Sequence, residues 1–68
     1  MIYILKLYSK GNCIGYLRGL SEQNNRYYKT LNLNNAKHYE SFDLAAAESD
    51  KLVAITGGNV VSSIERLA

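Results

Sequence analysis

Only one stretch of this chain has the pattern of a helix longer than a single turn, and one helix can cover only one side of whatever the other residues build. Residues 42–56 carry Ala45-Ala46-Ala47, which has strong helix propensity. Ser41 or Asp43 can cap the start, and Gly57-Gly58 stops the end. At about 100° per residue, Leu44, Ala45, Leu52, Val53 and Ile55 fall on one side. Glu48 falls among them. It either snorkels at the edge of that side or is held by Arg18, Lys29 or His38.

The other segments read as strands. Residues 2–8 are β-branched and aromatic, and too short for a helix. Gly11 and Asn12 make a turn. Residues 13–20 resume as a strand, Ser21 to Asn25 form a polar loop, and residues 26–33 form a third strand. Asn34 to Lys37 suit one helical turn, and 38–40 a short extended piece. Asn59 to Leu67, with Val60, Val61 and Ile64, is the last strand. The expected fold is therefore α+β: one domain, 1–68, in the order β-β-β-α-β, with an antiparallel sheet of about four strands and one helix on one face. The last strand is placed beside the first, giving the order 4-1-2-3. Its direction depends on whether residues 37–41 cross the sheet.

This domain has no staples. One cysteine, Cys13, makes no internal disulfide, and one Cys with one His makes no four-ligand zinc site. A 68-residue chain buries only about 60% of its unfolded surface, so its margin of stability is thin. With 47% hydrophobic and 21% charged residues it still has the composition of a folded domain. No apolar run approaches the roughly 20 residues of a membrane span. The opening Met1-Ile2-Tyr3-Ile4-Leu5-Lys6 lacks the form of a signal peptide. A cytoplasmic protein that does not enter membranes is expected.

Alternation divides each strand into two sets. Tyr3, Leu5, Leu7, Cys13, Gly15, Leu17 and Gly19 are expected to face the helix, the glycines letting it come close. Ile2, Ile4, Lys6, Tyr8, Ile14, Tyr16, Arg18 and Leu20 then lie on the uncovered face, joined by Tyr27 or Tyr28 according to register. An uncovered face of that composition suits a binding surface. The candidate partner-binding residues are Lys6, Tyr8, Tyr16, Arg18, Tyr27 and Tyr28. Net charge is +2, but residues 1–38 hold six basic side chains against Glu22 alone, and residues 39–68 hold five acidic against two basic. Either the halves attract one another within the fold, or a basic face meets an acidic partner.

Little in the sequence suits catalysis. No phosphate-binding loop, dinucleotide fingerprint or metal-ligand cluster occurs. A Cys13–His38 pair is the one nucleophile–base combination available, and Cys13 is expected to be buried and inert. Pockets of enzyme size are hard to build in so short a chain. The expectation is a protein that is not an enzyme and uses no cofactor.

The run Ala36-Lys37-His38-Tyr39-Glu40-Ser41-Phe42-Asp43-Leu44-Ala45-Ala46, a short extended piece leading into an Ala-rich helix, resembles small accessory proteins of phages and prophages. Some of these are anti-CRISPR inhibitors. The resemblance implies an intracellular, non-enzymatic inhibitor that binds a Cas effector stoichiometrically and occludes its nucleic-acid site or its assembly. No residue role carries over, because such inhibitors share no site motif. Two other functions fit the residues: a nucleic-acid-binding module that stacks bases on the tyrosines, and a homodimer that buries the open face against itself.

Overall fold

The computed structural model describes residues 1–68. Four strands and one long helix occur in the expected order: β1 (Tyr3–Ser9), β2 (Asn12–Ser21), β3 (Arg26–Thr30), α1 (Phe42–Thr56) and β4 (Val61–Arg66), with one short 3-10 turn at Leu33–Asn35 before the helix. The sheet order is β3-β2-β1-β4. Every neighbouring pair is antiparallel, which settles the direction of the last strand. No helix is long and apolar enough to cross a membrane.

The helix begins and ends on the chemistry read from its flanks. Ser41, with extended backbone, accepts the Leu44 N–H on its hydroxyl at 3.1 Å, so Ser41 and not Asp43 is the cap. Gly57 takes the left-handed conformation (φ 63°, ψ 27°). The Gly58 N–H reaches back to the Val53 carbonyl at 3.0 Å, closing the helix in a Schellman pattern. Thr56 joins the helix to the next strand: its hydroxyl donates to the Leu52 carbonyl at 2.9 Å and accepts from the Val60 N–H at 3.3 Å.

The core lies between α1 and one side of the sheet. Leu5, Leu7, Leu17, Tyr39, Ala45, Leu52 and Val60 are buried together, with Tyr3, Ile14, Leu20, Tyr27 and Ile64 packed around them. At about 25 cal/mol per Å² of apolar surface removed from water, such side chains supply most of the drive to fold.

Simple alternation fails along β2 because the strand is bulged twice. Leu7 pairs Gly15 but Tyr8 pairs Cys13, which skips Ile14; Leu17 pairs Lys29 but Gly19 pairs Tyr28, which skips Arg18. Each extra residue shifts the parity of the strand beyond it. Four expectations change as a result. Ile14 and Leu20, placed on the open face by alternation, pack against the core. Cys13, expected to be buried, shares Tyr8's face and is exposed. Tyr27 is opposite Leu20 on the helix side, so only Tyr28 is on the open side. The glycines do not admit the helix. A Cβ on Gly15 (φ +126°) would stand 2.7 Å from the Thr30 backbone oxygen, and one on Gly19 would meet nothing within 4 Å.

The third strand ends at Thr30, short of the expected residue 33. Thr30 and Asn32 turn the chain through side-chain bonds to the backbone. The extended piece at 38–40 reduces to one bridge. The β1–β2 ladder runs from Ser9–Asn12 to Lys6–Tyr16, and residues 37–39 tie the two strands together beyond it. The Lys37 N–H donates to the Leu17 carbonyl at 2.9 Å, and Tyr39 and Tyr3 exchange two backbone bonds of 2.9 Å.

Candidate functional site

Two surfaces carry chemistry. The first is the side of the sheet that α1 leaves uncovered. Opposed residues in an antiparallel pair lie on one face, so register places the side chains there. One row crosses all four strands: Thr30, Tyr16, Lys6 and Ser63. The next holds Cys13, Tyr8 and Val61. Ile4 is opposite Glu65, and Tyr28 opposite Gly19.

Of the six residues picked from sequence, this face gathers Lys6, Tyr8, Tyr16 and Tyr28. Arg18, exposed, is the extra residue of the second bulge. Tyr27 is on the other side. Lys6, Tyr8 and Tyr16 are half-buried, and Tyr28 is half-exposed. Ile4 is on this face and outside the helix-side cluster, yet it is only 1% exposed. Its burial is therefore not the work of the helix-side core.

The neighbours of Lys6 hold its ammonium above the ordinary lysine pKa of 10.5. Tyr8 contributes most, then Glu65, Cys13 and Tyr16. Lys6 thus sits as a permanent cation between tyrosines, with one carboxylate in the group.

The second surface is an open cleft of about 310 Å³ lined by Lys37, His38, Tyr39, Glu40, Leu44 and Glu48, at the lower end of the size range of ligand pockets. It forms where residues 37–40 meet the first turns of α1. Sequence reasoning missed it, although the same segment carries the resemblance to phage accessory proteins. Glu48 is held by Lys37, at 2.9 Å between Nζ and Oε1, and not by Arg18, Lys29 or His38. The same ammonium lies 5.3 Å from the centroid of the Tyr39 ring. The Tyr39 hydroxyl is buried without a hydrogen-bond partner. Its pKa is pushed up, mainly by burial and next by the negative charge of Glu48. A phenol-to-Glu48 hydrogen bond would add to that rise, but the phenol oxygen finds no acceptor in bonding geometry while Glu48 faces Lys37.

Cys13 and His38 are not brought together. Cys13 is opposite Tyr8, and His38 adjoins the residue bridged to Tyr3. Five strand residues separate those points, roughly 16 Å. No group of three His, Cys, Asp or Glu side chains could hold a metal ion. The basic and acidic halves do not simply pair either. Lys37–Glu48 joins them with the expected signs, and Lys51–Glu22, at 3.2 Å, with the signs reversed. In comparison with known proteins, the chain matches no family model, no curated protein and no solved structure.

Proposed function

We propose that this protein is a non-enzymatic binding module that docks a protein partner on its uncovered sheet face and acts by steric occlusion. One observation carries the reading: Lys6, Tyr8, Tyr16 and Tyr28 share the face of the sheet turned away from α1. Tyrosine offers large contact area at low entropic cost, and with Arg it dominates interface hot spots. Lys6 shares this face with Glu65, and Arg18, exposed at the second bulge of β2, adds a positive charge that suits an acidic partner. In the form implied by the resemblance to anti-CRISPR inhibitors, the partner is a Cas effector in the host cytoplasm.

The test is the pair Tyr16→Ala with Arg18→Glu. The double variant should melt close to the parent and lose inhibition in a phage plaquing assay against CRISPR-defended cells, since truncating one hot-spot residue typically costs about 2 kcal/mol or more. A parent that leaves Cas activity untouched removes the Cas form of the reading. A variant that folds and still inhibits moves the site off this face. Nucleic acid is the second reading, favoured by three tyrosines and a lysine on an open antiparallel sheet. Binding to single-stranded oligonucleotides that falls steeply with salt would establish it in place of the first. A mass that doubles with concentration would mark the homodimer.

A further inference from the structure

The cleft beside α1 stands apart from the open face, and it already contains a bound cation. Lys37 places its ammonium on the Glu48 carboxylate at 2.9 Å and over the Tyr39 ring at 5.3 Å. A carboxylate with an aromatic face beside it is the arrangement by which proteins recognise cationic groups. The two partners are unequally held: the side chain of Lys37 is 45% exposed and that of Glu48 only 15%. The acid belongs to the floor of the cleft, and the lysine can leave it.

Three features remain unused while Lys37 occupies the site. The second oxygen of Glu48 makes no hydrogen bond. Glu40, exposed on the rim, has no ion-pair partner. The Tyr39 hydroxyl, in a residue 5% exposed, is buried and unpaired, and such a group in a folded protein calls for an explanation. Beside Lys37 and His38 the cleft thus holds two carboxylates, with a spare acceptor and a spare donor.

We propose that this cleft binds a guanidinium group, the arginine side chain of a partner polypeptide, which displaces Lys37 from Glu48. A guanidinium is planar and forked, so it engages both carboxylate oxygens and lies flat on an aromatic ring. An external ammonium would only repeat what Lys37 does, against a competitor tethered in the same chain. Leu44, 57% exposed on the wall, offers an apolar surface for the arginine methylenes. Glu40 on the rim adds a second negative charge. An anion is disfavoured, since it would meet the carboxylates of Glu40 and Glu48 while Lys37 is already paired. Tyr39 is a positioning residue: when Glu48 turns to take the fork, the phenol can donate to it. This assignment does not depend on the role of the open face.

The experiment is a titration of the intact protein followed by amide NMR, using N-acetyl-arginine-methylamide, the corresponding lysine derivative and free arginine. The arginine derivative should saturate shifts at Lys37, Tyr39 and Glu48, and bind several-fold tighter than the lysine derivative. Lys37→Met should tighten it several-fold by removing the internal competitor. Glu48→Gln should abolish it, and Tyr39→Phe should weaken it while leaving the fold in place. Equal shifts with lysine and arginine would overturn the assignment, as would binding that survives in Glu48→Gln or fails to tighten in Lys37→Met. Should Glu48→Gln unfold, the Lys37→Met comparison decides alone. Free arginine binding more tightly than the capped derivative would make this an amino-acid site and overturn the partner side chain.

Discussion

The two faces of the sheet are built from similar residues and end in different states. On the helix side Leu5, Leu7 and Leu17 are sealed beneath Ala45 and Leu52, all of them 0% exposed. On the other side Tyr8, Tyr16 and Lys6 lie half-buried on the face turned away from the helix. The difference teaches that composition alone does not decide which side becomes core. β1 carries Leu5 and Leu7 toward the helix and Ile4 away from it, and the single helix makes one face dry. Ile4 tests the contrast, since it reaches 1% exposure on the side without a helix.

The largest expected effects bear on that contrast. Leu52→Ala should cost about 2–5 kcal/mol, the range for emptying a well-packed site. This is a large part of the whole stability of a 68-residue domain, roughly 3–10 kcal/mol. If open-face side chains seal Ile4 as firmly as the helix seals Leu52, Ile4→Ala should cost a similar amount in urea unfolding. A loss below about 1 kcal/mol would mean that the cover over Ile4 is loose and collapses into the space left.

A smaller effect belongs to the bulge that turns Ile14 toward the helix. Gly15→Ala should destabilise by roughly 2–4 kcal/mol, through strain at φ +126° and a Cβ pressed on the Thr30 oxygen. Gly57→Val touches neither face. A Cβ at this position would meet no atom within 4 Å, and the change should cost only about 1–2 kcal/mol through the positive φ. Thermal melts of the two variants separate the mechanisms, and a Gly15→Ala protein as stable as the parent would remove the bulge from the account.

The smallest effect at neutral pH should come from Tyr39→Phe, which removes a buried hydroxyl that bonds to nothing. Stability at pH 7 should stay the same or rise, and a loss above about 1 kcal/mol would show that the hydroxyl is bonded after all. The variant should differ from the parent in alkali. The folded state holds the Tyr39 proton above the ordinary phenol value of 10.0, so its contribution is complete below pH 10 and is lost as the pH rises further. Lys6, raised above 10.5, acts in the same direction. Urea melts between pH 9 and pH 11 should therefore show falling stability in the parent and a shallower fall in Tyr39→Phe.

The sequence by itself determined the element order, the helix bounds with Gly57 as the terminating residue, and the strand order with β4 beside β1. Those rest on local propensity, capping and short connections, which are written within a few residues of where they act. It also placed Lys6, Tyr8 and Tyr16 on the open face, because β1 keeps strict alternation and the Lys6–Tyr16 pair fixes both strands. Tertiary structure alone decided the fates of Cys13, Ile14, Leu20 and Tyr27, because a bulge arises between two strands and leaves little trace in either. It decided the cleft for the same kind of reason. Lys37 and Glu48 are eleven residues apart, and nothing local shows that residues 37–39 tie β1 to β2 and bring that lysine over the helix.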